Sequence, residues 1–285
     1  MRPLCNSSPM RFCRCACIRV STSHLVQDHD ARFSAGIWHD VWHHRPDMLK
    51  PWRPVQMNSE TYIVDSVIRS RKAVRAFRPD AVSKQDMIDI LDVARAAPSN
   101  SNTQPWRVHV LAGGIKQRLS AALARAHTGG THQQLQYMPD PLPESYRIRQ
   151  EDFGARYYGA LGIDKTDVDG RNRATGRNFD FFGAPIGMIF TIDARLKKYS
   201  WLDYGLFIQN IMIAARSRGL DTCPQVSFAR YQTVIATQLE LETGHEVVCG
   251  MSLGYANQHS LVNRLRLPRE PVFQFASFAG LDESS

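Results

Sequence analysis

The chain has 285 residues, 43% of them hydrophobic, enough for one large domain or two small ones around a real core. No run of about 18 apolar residues occurs, so a membrane-spanning helix is excluded and the chain reads as a soluble globular protein. Basic residues outnumber acidic ones 35 to 27, but half of that excess lies in residues 1–57, and no basic stripe interleaved with aromatics is present, which argues against a nucleic-acid partner.

Residues 1–57 show no sustained hydrophobic period. Arg11, Arg14 and Arg19 interrupt every apolar run, so no secretory signal is present. Cys5, Cys13, Cys15 and Cys17 lack the paired spacing of a structural zinc site. The segment is expected to be a disordered tail or an over-extended reading frame, with Met57 as the natural start. Only Cys223 and Cys249 remain for the folded part, which argues against a disulfide framework and for a reducing compartment.

From Ser59 the pattern becomes regular. Ser59 is expected to cap a helix that buries Ile63, Val64, Val67 and Ile68. Ser83 with Asp86 reads as a capping box for a second helix burying Met87, Ile88, Leu91 and Ala94, which Pro98 stops. Trp106, Val108, Val110 and Ala112 alternate as a strand, and Gly113-Gly114 turns the chain. The span 126–176 is expected to be an irregular cover or loop inserted into the domain that begins at residue 58. A buried strand follows at 185–193. Ser200 should cap a long helix, apolar on more than one face and therefore central or at a subunit interface, which Gly219 closes. Ser227 starts another helix, 247–255 reads as a strand, and 270–280 is an apolar-aromatic tail. Helices and strands without regular βαβ alternation predict an α+β fold.

Two segments carry the chemistry. Arg71 and Arg75 stand four residues apart in Arg71-Lys72-Ala73-Val74-Arg75, and guanidinium groups that stay charged and bond in a planar fork suit a phosphate and an electron-rich ring edge. Pro98-Ser99-Asn100-Ser101-Asn102, followed by Gln104-Pro105-Trp106, is a rigid turn whose short amides suit a flat polar heterocycle. With 219–227, 253–255, 268–271 and 177–185 in the same order, these segments resemble the nitroreductase family of FMN-dependent oxidoreductases, from about Ser59 to Gly280.

The resemblance implies an intertwined α+β homodimer, with a central mixed or antiparallel sheet flanked by helices and FMN at each of two interface sites. It implies that Arg71, Lys72 and Ala73 lie along the phosphate and ribityl chain, that Arg75 reaches the pyrimidine edge, and that Arg269 is a second phosphate cation. Pro98, Ser99, Asn100 and Asn102 would come from the partner subunit. Pro224, Gln225, Val226 and Ser227 would line the isoalloxazine, and Arg177 the ribityl or pyrimidine end. The sequence departs from the family in three places: Ala73 where Ser is frequent, Val226-Ser227 where an acidic-glycine pair is usual, and Leu267 where a basic residue is usual, with Arg266 beside it.

Function follows as an expectation. NAD(P)H and a small electron-poor aromatic acceptor, a nitroarene or quinone, would share one flavin face in ping-pong turnover, with no obligatory protein acid or base. Residues 126–176 would act as a cap that selects the acceptor. A cytoplasmic protein with no membrane and no metal is expected. Reductive dehalogenation or enone reduction on the same scaffold is the alternative, and a basic nucleic-acid or metal-binding protein built on the N-terminal segment is the rival from another class. No Rossmann or P-loop glycine signature and no hydrolase or zincin motif is present.

Overall fold

The computed structural model describes residues 59–133 and 138–281, all within the unit Gln56–Ser285. The expectation for residues 1–57 lies outside them.

The centre of the fold is a four-stranded antiparallel sheet: β1 (Arg107–Leu111), β2 (Ile186–Asp193), β3 (Asp221–Gln225) and β4 (His245–Gly254), in the order β1-β2-β4-β3. Seven of the eight β2 residues are buried because the strand is covered on both faces. On one face lie α2 (Lys84–Ala94) and α6 (Lys198–Ser217), with Ile90, Phe207 and Ile211 packed against Met188, Phe190 and Met251. On the other lie α3 (Gly113–Thr128) and α7 (Gln232–Leu239), with Leu119, Leu123 and Ile235 against Ile189 and an aromatic cluster of Phe179, Phe181 and Phe228. Helices and one antiparallel sheet make the α+β class, and a lone parallel bridge from Ala73 to Thr222 extends the sheet past β3.

Backbone signals read from the sequence are present as bonds. The Ser83 hydroxyl accepts from the Asp86 N–H at 3.0 Å while the Asp86 carboxylate accepts from the Ser83 N–H at 3.2 Å, closing the capping box. Gly219, at φ +75°, ends α6 in a Schellman arrangement, with Leu220 N–H bonded to Ala215 O and Gly219 N–H to Arg216 O. Phe179, Phe181 and Phe182 are core, each at most 2% exposed.

Four readings need correction. Helix α1 (Ser59–Ser70) buries none of its stripe: Ile63, Val64 and Ile68 are exposed, because no element among the described residues covers them. In α2 the inward residue is Ile90, and Ile88 points out. Helix α6 begins at Lys198 without a side-chain cap, one turn ahead of the expected Ser200. Gly113-Gly114 opens a 16-residue helix, α3, whose signal was the spacing of Leu119, Ala122, Leu123 and Ala126.

The span 126–176 is also more regular than expected. Its first three residues finish α3, and it contains α4 (Glu144–Ala160) and α5 (Val168–Gly176). Tyr157 is the one buried residue of α4, so no apolar period exists to be read. Surface pairs, Arg147 with Glu144 and Glu151 at 2.6 Å and Arg156 with Asp152 at 2.8 Å, give the helix weak, solvent-screened support.

Close packing at Gly250 offers a direct check. A Cβ there would lie 2.6 Å from the fully buried Phe228 ring. Gly250→Ala is expected to destabilise the fold by about 1–3 kcal/mol, since the ring has no free space to enter. Chemical denaturation measures this, and an unchanged midpoint would show that the ring yields freely.

Candidate functional site

The segment after α1 runs alongside the start of β3. Val74 N–H bonds Thr222 O at 3.0 Å, which lays residues 71–75 against the sheet and turns their long side chains outward. Asn263 fixes the same segment from the other side. It is 2% exposed; its Oδ1 accepts from Arg75 N–H at 2.8 Å, and its Nδ2 donates to Ala76 O at 2.7 Å and Asn257 O at 3.0 Å. The Lys72 ammonium donates to the Asn263 carbonyl.

A surplus of positive charge results. Burial pushes the Arg71 guanidinium below its ordinary pKa, and Arg269 nearby pushes it further. Burial likewise lowers the Lys72 ammonium, with Arg266 adding to it. The nearby carboxylate, Asp221, is bonded to Arg216 at 3.1 Å. Partly desolvated cations crowded in this way are suited to an anion.

Arg75 is held differently. Its guanidinium lies 5.3 Å from the Phe153 ring centroid and 5.1 Å from that of Tyr157, so α4 brackets it with two aromatic faces. Arg75 and Arg177 both bear on the Tyr157 phenol, whose pKa rises through burial against their opposing pull. Arg177 itself is exposed at the end of α5. Beneath Arg71 and Arg75 sits Cys223, a free buried thiol that burial pushes up to about 11. A thiol that stays protonated at neutral pH fills space and offers no nucleophile.

At the end of β3, Pro224 and Val226 are exposed, while Gln225 is turned inward. Its amide donates to Asn178 O at 2.8 Å and its Oε1 accepts from Ser252 at 2.7 Å. With that side chain committed, only the Gln225 backbone is left to face a ligand. Among the described residues the Ser227 and Thr222 hydroxyls at this edge are buried with no hydrogen-bond partner.

The bend at 98–104 lies elsewhere. Asn100–Asn102 form a short 3-10 turn in which Ser101 and Asn102 take positive φ, at 50° and 58°, and Gln104 beyond it does so at 46°. Asp203 on α6 accepts from Asn100 N–H at 3.1 Å, and the Ser99 hydroxyl accepts from Gln104 N–H at 3.1 Å. Just beyond, Trp106 stacks on Phe207 at 4.6 Å, and Arg107 N–H donates to the Tyr204 hydroxyl at 3.2 Å.

The site residues therefore fall into two groups. Ala73 sits at Thr222, which faces Leu253 and then Ile186, whereas the bend leads into Arg107, which faces Thr191. Five residues along β2 and four strand spacings across the sheet separate them by about 25 Å. The group around Arg71 also includes Lys72, Arg75, Arg269, Cys223 and the 224–227 edge. Asn263, Tyr157 and Asp203 were not found from the sequence, because each acts on a residue more than 80 positions away.

Comparison with known proteins agrees with this architecture. Residues 68–255 match the family described as the nitroreductase family. The chain is 57% identical over 218 residues to 4-nitrobenzoate reductase of Pseudomonas putida, covering 76% of this chain and 96% of that one. It is 42% identical over 218 residues to chloronitrobenzene nitroreductase of Comamonas testosteroni, covering 75% and 96%. The crystal structure of the FMN-dependent nitroreductase NfnB from Mycobacterium smegmatis in complex with NADPH superposes with a TM-score of 0.74 at 32% identity, covering 77% of this chain and 99% of that one. With a family match over most of its folded part and relatives of this identity, the chain belongs to the nitroreductase family.

Proposed function

We propose that the protein is an FMN-dependent NAD(P)H oxidoreductase that reduces nitroarenes, with a nitrobenzoate as its acceptor class. The observation that carries the reading is the crowded cationic cluster of Arg71, Lys72 and Arg269 on a fold shared with an FMN-dependent, NADPH-bound nitroreductase. The 57% identity to a 4-nitrobenzoate reductase supports the acceptor.

The residues fit the cofactor. Arg71, Lys72 and Arg269 neutralise a phosphate, Ala73 leaves room beside it, and Arg75 presents a fixed cation to the ring's pyrimidine edge, with Arg177 near the same end. A cation at that edge stabilises negative charge arriving on reduction. Pro224, Val226 and the backbones of Gln225 and Ser227 form the wall of the ring pocket. When bound, FMN supplies the two-electron chemistry between NAD(P)H and the acceptor. The chain's share is to bind, orient and exclude water, with α4 and α5 of the 126–176 insertion as the cover.

Completing this pocket needs a second copy. Pro98, Ser99, Asn100 and Asn102 lie about 25 Å from the cationic cluster of their own chain, so in this reading they serve the other subunit's site. The uncovered α1 stripe and the exposed Phe273, Phe275 and Phe278 of the C-terminal tail support such a homodimer. Among the described residues no helix is long and apolar enough to cross a membrane. Two free cysteines in the core suit the reducing cytoplasm.

Purified protein is expected to be yellow. Anaerobic NADPH should bleach the flavin band, and 4-nitrobenzoate should restore it. A colourless protein that takes up no added FMN would overturn the reading; bleaching without recovery would overturn the acceptor alone.

A further inference from the structure

The bend at 98–104 is strained and tightly held, and the side chain that holds its centre is a buried acid. Three of four successive residues take positive φ (Ser101, Asn102 and Gln104, none of them glycine), a backbone that would relax in a free peptide. What opposes relaxation is α6. Its residues 203, 204 and 207 lie on one face and reach both ends of the bend: Asp203 to Asn100 N–H, Tyr204 to Arg107, Phe207 to Trp106. The Tyr204 and Phe207 contacts belong to the core and fix where the strand begins. Asp203 has no such packing duty. Only 6% exposed, its carboxylate accepts from Asn100 N–H at 3.1 Å in the turn that carries Asn100 and Asn102, so a buried acceptor is committed to the bend.

We propose that Asp203 is a positioning residue for cofactor binding: its carboxylate locks the strained bend of one copy in the shape that the other copy's site requires. The inference rests on the reading that the bend meets FMN across a homodimer. A preformed bend spares the ordering cost that a flexible loop would meet on binding, so loss of the lock weakens FMN without weakening the fold. The bond to be kept is an acceptor for one N–H, and an amide oxygen can provide it.

The test is an FMN titration of the apoprotein followed by flavin fluorescence, with unfolding temperatures recorded alongside. Wild-type protein that binds no FMN would overturn the proposed function itself. Given wild-type binding, Asp203→Ala is expected to raise the FMN Kd about tenfold, and Asp203→Asn to return it to within about threefold of wild type. Wild-type affinity in Asp203→Ala, or Asp203→Asn as weak as Asp203→Ala, would overturn the lock. If Asp203→Ala does not fold, Gln104→Gly decides. It eases an exposed φ of 46° and removes the amide bond to Asn102 at 3.0 Å without touching the core. A Kd raised several-fold at an unchanged unfolding temperature supports the preformed bend, and an unchanged Kd refutes it.

Discussion

Arg71→Ala is expected to weaken FMN binding by about 2–3 kcal/mol, roughly 30- to 150-fold in Kd, while leaving the apoprotein no less stable than wild type. The two halves of the result have one cause. Without an anion, Arg71 is a partly buried cation beside Arg269, so burial and repulsion both disfavour its charge. Removing it relieves both. With a phosphate present the same burial strengthens the attraction, because less water screens it. Thermal unfolding with and without FMN measures both halves: the ligand-linked rise in Tm should shrink in the variant while its apo value holds. A variant that unfolds earlier without FMN and binds FMN normally would assign Arg71 to the fold instead.

Asn263→Ala should be the most damaging single substitution near the site, at about 3–5 kcal/mol of global stability. The side chain holds Arg75 N–H, Ala76 O and Asn257 O; alanine would take the amide from all three, leaving Ala76 O only its bond from Asn257 N–H at 2.9 Å. The carbonyl that receives Lys72 would shift with them. Asn263→Asp keeps the acceptor for Arg75 N–H and loses both donors, so an intermediate loss is expected. Denaturant midpoints for the two variants check the order. A loss under about 1 kcal/mol in Asn263→Ala would mean that water replaces the amide, and the clasp would be incidental.

The two substitutions separate the kinds of information held in the chain. The Arg71 segment stands out in the sequence because its basic residues are contiguous, although Arg269 and Cys223 beside it in space are far away in the chain. Asn263 does not, because its partners lie 187 and 188 residues away and a lone asparagine in a 3-10 turn looks like any other. The same contrast divides the helices. Helix α2 was announced by a capping box spanning four residues, whereas α4 has one buried side chain and is held by surface pairs that leave no hydrophobic period. The stripe of α1 was read correctly as apolar and wrongly as covered, since amphipathicity says that a face seeks burial and says nothing of whose surface provides it.

By itself, the amino-acid order determined much of the local structure and the family: the Ser83 capping box, the buried strand β2, the glycine that ends α6, and the segments in which arginines and amides sit at fixed short spacing. These depend on hydrogen bonds and sterics within a few residues. Only the tertiary structure decided the strand order β1-β2-β4-β3, the inward turn of Gln225, the aromatic bracket on Arg75 and the pairing of Asp203 with a bend 103 residues away. Those arrangements come from competition among distant parts of the chain for the same buried space and the same hydrogen-bonding groups, and no local pattern records which part wins.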